Sequence, residues 1–200
     1  MQTLLAFDTS AAHCAAAVLC GDRITASRHE PMEKGQAERL IPMLEELLAE
    51  AGLSWADLTA LAVGTGPGNF TGVRIAVAAA RGLALSLSIP AIGVTRLEAL
   101  AYGLPRPLWV VEDARRGEVY AQRFDSIDST AKLTRLDALS PDAPVAGNAL
   151  PDALVSLPVA EAIARVAATR SATPQPRPAP FYLRGADAAP PSDPPPVILP

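Results

Sequence analysis

The chain has 200 residues, of which 50% are hydrophobic, and it carries a formal net charge of −4 with two Cys and two His. This length fits one large domain or two small ones, and the hydrophobic fraction is sufficient for a buried core. The net negative charge argues against a protein that binds nucleic acid by itself, because that task requires a basic surface.

The first residues of the chain, MQTLLAFDTS, are typical of a strand that runs into a turn rather than of a cleavable leader. The most apolar stretch, 73–94, is interrupted by Arg74 and Arg81, so we expect no membrane segment and a cytoplasmic location. Cys14 and Cys20 share one face of a predicted strand, about 20 Å apart at about 3.3 Å per residue. We expect two reduced core thiols that do not bridge each other.

Alternating and helical hydrophobic spacings predict the order β-β-β-α-β-α-β over the first half of the chain. A short helix at 95–102 follows. Pro42 lies inside the first predicted helix, where it removes a backbone donor and is expected to kink the axis. The predicted strands are 3–8, 14–20, 23–30, 60–64 and 91–94, and the two long predicted helices are 36–51 and 71–87.

Signals in the second half are weaker, and half of the chain's 20 prolines fall in residues 174–200. The aromatic segment Pro180-Phe181-Tyr182-Leu183-Arg184 is expected to dock on the domain. The composition predicts a first lobe at 1–103, a reduced second lobe at 104–185 and a proline-rich tail at 186–200. The predicted elements are strands 108–112, 118–124, 132–136 and 144–146, and a helix at 159–169.

A glycine-rich turn at 64–72 joins a predicted strand to a predicted helix. Gly66, Gly68 and Gly72 could let backbone N–H groups converge on an anion, as at a phosphate site. The segment lacks the Lys-Ser/Thr of a P-loop and the spacing of a dinucleotide fingerprint. The alternative is a tight strand-to-helix turn with Thr71 as the N-cap. Asp8 and the adjacent Thr9 could extend the turn into a metal-and-phosphate site.

The helix after this turn is rich in alanine, which allows either its own sheet or a partner helix to approach closely. The glutamates of the first helix form either a solvated face or a face for an arginine-bearing partner. Asp113 and Arg115, in the turn of a predicted hairpin, form either a functional ion pair or a surface bridge. The spacing of His13 and His29 supports no metal site, and there is no G-x-S-x-G nucleophile elbow.

Four motifs in this order resemble one family: Asp-Thr-Ser at 8–10, GTGPGNFTGVR at 64–74, DARRGEVY at 113–120 and PFYLR at 180–184. The chain resembles the TsaB family, the dimerisation subunits of the bacterial tRNA threonylcarbamoyladenosine system, over 1–124 and again at 180–184. The resemblance implies an α/β, actin-like and sugar-kinase-like ATPase fold with two ribonuclease-H-like lobes. Because the segment 125–175 is short and interrupted by prolines, we expect the second lobe to be reduced.

The resemblance also implies a non-catalytic subunit that binds a TsaD-like paralogue, with a TsaE-like ATPase in the assembly. It implies a homodimer in isolation, contact with tRNA only through the complex, and no cofactor for this chain, with ATP and metal on the partner subunits. The implied contacts lie on the first two long helices. The expected partner-binding residues are Leu40, Leu44, Leu47, Val73, Arg74, Ala76, Val77, Ala80 and Arg81.

Two positions depart from the family pattern. Gln36 stands where members often carry a His, and Val145-Ala146-Gly147-Asn148 offers one glycine in place of a glycine-rich adenosine motif. These departures imply that stand-alone catalysis has been lost. The alternative is a small-molecule kinase or ATPase of the same fold. Its cleft would use Asp8, Thr9, Gly66, Gly68, Thr71 and Gly72.

Overall fold

Five strands of the first half form one mixed sheet in the computed structural model, which describes residues 2–185. The strand order is β3-β2-β1-β4-β5. The first three strands pair antiparallel, whereas β4 lies parallel to β1 and β5 lies parallel to β4. This is the arrangement expected for a ribonuclease-H-like lobe. The strands are β1 Thr3–Asp8, β2 His13–Cys20, β3 Arg23–Pro31, β4 Ala60–Gly64 and β5 Ala91–Val94.

Helices cover both faces of this sheet, so β1 is buried along its whole length. Side chains alternate between two faces of a strand, and Phe7 therefore packs under the two long helices while Leu4 packs against α4 on the other side. Cys14 is buried and Cys20 is half-buried in the same cluster as Phe7, and both thiols are free. The helices are α1 Gln36–Glu50, α2 Phe70–Leu87, α3 Arg96–Ala101 and α4 Val159–Ala168, with 3-10 turns at Trp55–Asp57 and Leu136–Ala138.

The second sheet is smaller and has the strand order β8-β7-β6-β9. The pairs β6–β7 and β7–β8 are antiparallel, and the two-residue β9 is parallel to β6. Leu97 and Leu100 of α3 pack against this sheet and connect it to the first half of the chain. The strands are β6 Leu108–Asp113, β7 Glu118–Phe124, β8 Lys132–Arg135 and β9 Val145–Ala146.

Two features differ from the sequence-based expectations. The N-cap of α2 is Asn69, whose side chain accepts a hydrogen bond from the Gly72 N–H, so Thr71 is not the cap as predicted. The helix therefore begins earlier than predicted, because the glycine turn packs on the end of β1, as described below. Helix α4, in the range expected for the second lobe, packs on the first sheet because Ala160 and Ile163 fit against its apolar face.

By length and composition alone, α2 is the one helix among residues 2–185 that could cross a membrane. In this fold, 28% of the helix is buried. Arg74 and Arg81 both lie within it. Its inner face packs on the first sheet through Val73 and Ala80. In this structure, α2 is therefore a covering helix of the first sheet. The predicted tail at 186–200 lies outside the described residues.

Candidate functional site

The glycine turn at 64–72 packs directly against the end of β1, backbone to backbone. The Asn69 N–H donates to the Ser10 carbonyl at 2.6 Å, and the Thr9 hydroxyl donates to the Gly72 carbonyl at 2.6 Å. A Cβ on Gly68 would lie 2.2 Å from the Ser10 oxygen, and one on Gly72 would lie 1.9 Å from the Thr9 oxygen. This contact explains both glycines without a bound phosphate, so it favours the structural interpretation of the turn.

Asp8 lies behind this contact and is completely buried. The Ser10 hydroxyl and the Ser10 backbone N–H both donate to its carboxylate, the hydroxyl at 2.6 Å. Burial by itself raises the pKa of Asp8, but the nearby His13 imidazole, the Arg96 guanidinium and the Ser10 hydrogen bond outweigh it, so the net pKa shift is downward. Asp8 is therefore an ionised, hydrogen-bonded residue of the interior.

An ion pair that sequence analysis did not anticipate joins the two sheets. The Arg96 Nε donates to Glu112 at 2.6 Å, and the side chains are only 15% and 7% exposed. The backbone N–H of Arg96 also donates to the Gly66 carbonyl at 2.7 Å, and Glu112 accepts from the backbone N–H of Asn148. Burial by itself lowers the pKa of Arg96, but Glu112 and Asp8 outweigh it and raise the pKa. The signal in the sequence was a glutamate within the apolar strand LWVVED.

A cleft of about 410 Å³ opens beside this ion pair. Its polar wall includes His13, His29, Arg96, Glu112 and Asn148. Burial, followed by the neighbouring His13, lowers the pKa of His29. Among residues 2–185, no group of three or more His, Cys, Asp or Glu side chains is placed to hold a metal ion.

Most of the expected partner-binding residues lie in the interior, because α1 and α2 pack them against their own sheet. Each of these side chains is at most 2% exposed and belongs to the core cluster under the two helices. A side chain buried this completely cannot also contact another subunit. The buried members are Leu40, Leu44 and Leu47 of α1 and Val73, Ala76, Val77 and Ala80 of α2.

The outer face of α2 consists of Arg74, Ala78, Arg81, Gly82 and Leu85. Arg74, Ala78 and Gly82 are exposed, Arg81 is half-buried, and Leu85 is 78% exposed. These positions fall on one side of the helix at 100° per residue. The face therefore combines the small residues Ala78 and Gly82 with two basic residues, Arg74 and Arg81.

The neighbouring helix α1 is acidic, but some of its charges are used within the chain. Arg28 pairs with Glu46 and Glu50, and Arg39 pairs with Glu46 and with Glu30 of β3. Hydrogen bonds from Arg39 lower the pKa of Glu46 to about 2. Among the described residues, the exposed side chains of Glu38 and Glu45 on α1 have no ion-pair partner.

The segment 178–184, which we call the strap, crosses from the first sheet to the second. The Phe181 N–H donates to the Thr65 carbonyl at 2.8 Å, and Leu183 packs in the core of the second sheet. At its end, Arg184 donates to the Ala114 carbonyl at 2.9 Å and to Glu118 at 2.6 Å. The strap therefore holds the carboxyl edge of the first sheet against the β6–β7 hairpin.

Asp113 and Arg115 lie on that hairpin, and both are exposed. The Asp113 carboxylate accepts from the Arg115 backbone N–H at 2.9 Å, while the Asp113 N–H donates to the Asn148 side chain at 2.7 Å. Arg115 has a φ of 64°, in the left-handed region. The contact therefore joins the Asp113 carboxylate to the main chain of Arg115 and shapes the turn. It does not use the Arg115 guanidinium.

Comparison with known proteins places the chain in a family. The family model of TsaD, tRNA N6-adenosine threonylcarbamoyltransferase, matches residues 27–189. TsaB from Escherichia coli (strain K12), named as a tRNA threonylcarbamoyladenosine biosynthesis protein, is 40% identical over 122 residues, which are 58% of this chain and 52% of that protein. An uncharacterized protein from Mycobacterium tuberculosis (strain ATCC 25618 / H37Rv) is 36% identical over 206 residues, 95% of each chain.

The solved structure of YeaZ from Pseudomonas aeruginosa has a TM-score of 0.75 and 32% identity, over 92% of this chain and 100% of that one. A second Pseudomonas aeruginosa structure, described as similar to peptidase YEAZ, has a TM-score of 0.77 and 28% identity over the same shares. The predicted α/β fold with two sheets is confirmed. The chain spans about half the length of the curated TsaB relatives it matches. It belongs to the TsaB/YeaZ family.

Proposed function

We propose that this chain is a subunit for tRNA threonylcarbamoyladenosine biosynthesis and acts as a non-catalytic scaffold that binds a TsaD-like paralogue. The names of its relatives support the pathway. The observation that carries the scaffold role is the outer face of α2, where the exposed Ala78 and Gly82 let another helix approach closely and Leu85 offers an apolar contact.

The glycine turn supports the non-catalytic part of this proposal. In the alternative role, as a small-molecule kinase or ATPase, the turn would accept a phosphate between its backbone and Asp8. Here the Ser10 and Thr9 carbonyls already occupy the space beside Gly68 and Gly72. Binding of ATP and magnesium with turnover by the isolated chain would favour the kinase or ATPase instead.

The other proposed partners belong to one assembly with this chain. The paralogue covers the outer faces of α1 and α2, and two copies of this chain pair through the same faces when it is absent. A TsaE-like ATPase joins the assembly, and tRNA is contacted through the complex, in the cytoplasm. An interface of ordinary size buries about 1,200–2,000 Å² in total.

The test compares exposed positions on and off this face. Ala78→Glu and Leu85→Glu place a charge on the outer face of α2 and are expected to abolish co-elution with the paralogue and modification of tRNA. Ile127→Glu is the matched control, because Ile127 is 87% exposed but lies between β7 and β8. Full binding and modification by both α2 variants would contradict the proposal. Ala76 and Ala80 are unsuitable positions, since both are fully buried.

A further inference from the structure

We propose that Arg74 anchors a carboxylate of the partner subunit and that Tyr182, from the strap, is the positioning residue that holds it ready. This inference rests on the proposed function and specifies how the partner is recognised. It assigns the C-terminal strap a part in an interface otherwise built from α1 and α2.

Arg74 is held by two aromatic rings at the N-terminal end of α2. Its guanidinium carbon lies 3.7 Å from the ring centroid of Phe70 and 5.9 Å from that of Tyr182. The two rings lie 4.8 Å apart, and the Arg74 Nε donates to the Tyr182 hydroxyl at 3.0 Å. Phe70 and Tyr182 are 38% and 39% exposed. Stacking and the hydrogen bond together fix the plane of the guanidinium.

The contacts of Arg74 leave its terminal nitrogens available. Among the described residues, only Nε takes part in a hydrogen bond, and Arg74 forms no ion pair. Two parallel N–H groups on a planar guanidinium match the two oxygens of a carboxylate, which gives a charge-assisted, directional contact. Exposed Arg and Tyr side chains are also the residue types that dominate binding energy at protein interfaces.

The strap holds Tyr182 from both sides. The preceding residue, Phe181, donates its N–H to Thr65, and the following residues, Leu183 and Arg184, are bound to the second sheet and to Glu118. The aromatic ring is therefore ordered before any partner arrives. An anchor held in its bound conformation loses less conformational entropy on association, which increases affinity.

Charge complementarity points to an acidic helix of the paralogue as the occupant. On this chain, the outer face of α2 carries the basic Arg74 and Arg81, and the adjacent α1 carries the exposed Glu38 and Glu45. The TsaD family model matches residues 27–189, which include both helices, so a TsaD-like paralogue has a corresponding helix pair. In such a pairing, the arginines of α2 face the paralogue's counterpart of α1, and we assign the carboxylate that binds Arg74 to that helix.

The experiment measures the dissociation constant for the purified TsaD-like paralogue with the 200-residue chain and its variants. Tyr182→Phe keeps the ring but removes the oxygen that accepts from Nε, and we expect about 5-fold weaker binding. Arg74→Ala is expected to weaken binding about 30-fold. In the Arg74→Ala background, Tyr182→Phe should have no further effect, because Tyr182 acts through Arg74. Tyr102→Phe, a half-buried tyrosine on α3's C-terminal end, is the matched control.

Each outcome decides a different statement. If the wild-type chain does not bind the paralogue, the proposed function fails. If the wild type binds and the Tyr182 and Arg74 variants bind equally well, the function stands and the anchor is wrong. If only self-association responds to these variants, the occupant is a second copy of the chain, which overturns the assignment to the paralogue. Thermal unfolding of each variant checks that the effect is on binding and not on folding.

Discussion

Both faces of α2 contain small residues, but these residues lie in opposite environments. On the inner face, Gly72, Ala76 and Ala80 contact the first sheet and the end of β1, while on the outer face Ala78 and Gly82 are exposed. Small residues on the inner face permit contact between backbones within the chain. On the outer face the same residue types leave a smooth surface. Small residues alone therefore do not distinguish the buried face of this helix from the exposed one, and burial does.

The largest expected effect is on the free energy of unfolding when one glutamate is placed on the inner or on the outer face of α2. Ala80→Glu buries a carboxylate with no partner and overfills a packed site, so we expect a loss of about 4 kcal/mol or more in the free energy of unfolding. Ala78→Glu, two residues earlier on the outer face, should change it by less than about 0.5 kcal/mol. Urea denaturation followed by circular dichroism measures both. Similar midpoints for the two variants would refute the assignment of faces.

The same contrast applies to charged pairs. Arg96→Met leaves Glu112 buried without its counter-charge, and we expect a loss of about 3–5 kcal/mol in stability. Arg135→Met breaks the pair with Asp137, whose side chains are 67% and 65% exposed, and should cost less than about 1 kcal/mol. Chemical denaturation of the two variants compares them directly. An Arg96→Met protein as stable as Arg135→Met would show that the buried pair contributes nothing to holding the two sheets together.

Two glycines of α2 sharpen the comparison without a change in charge. Gly72→Ala sets a methyl group against the Thr9 carbonyl, and the turn must shift, with an expected loss of about 1–3 kcal/mol. Gly82→Ala meets nothing within 4 Å and should stabilise the helix by up to about 1 kcal/mol. The midpoint temperatures of thermal unfolding of the two variants should therefore shift in opposite directions. A higher midpoint temperature for both variants would mean that the glycine turn does not contact the end of β1.

The smallest effect concerns the dependence of stability on pH. Because the pKa of Asp8 is lower in the folded chain than in the unfolded one, its contribution is fully present above about pH 4 and is lost as the pH falls through the folded value. Its share of the slope cannot exceed about 1.4 kcal/mol per pH unit. Asp8→Asn should flatten the decline below about pH 4. An unchanged slope in that variant would assign the acid sensitivity to other carboxylates.

Sequence periodicity located the described elements to within about one or two residues. The strands at 60–64, 91–94 and 118–124 have the predicted bounds, and the long helices differ by one residue. These segments have regular alternation or 3–4 spacing, which the backbone period converts directly into structure. The N-cap was missed because Asn69 and Thr71 are both good capping residues. Only the packing of the turn on Ser10 distinguishes them.

The environment of the expected partner-binding residues could not be predicted in the same way. Leu40 and Leu44 have the spacing of a buried stripe, and a stripe on a core and a stripe on a partner look alike in one dimension. Likewise, Arg74 and Tyr182 are separated by 108 positions, and nothing in the local pattern indicates that they touch. Their contact depends on the path of the strap across both sheets.

The sequence by itself therefore determined the order and type of the elements, the glycine turn and the family, because these depend on local spacing and on motifs. The tertiary structure decided which face of α2 is buried, that Arg96 and Glu112 join the two sheets, and that Tyr182 lies on Arg74. These features require contacts between segments distant in the chain. Such contacts are selected by the packing of all the elements together and leave no periodic signal in any one of them.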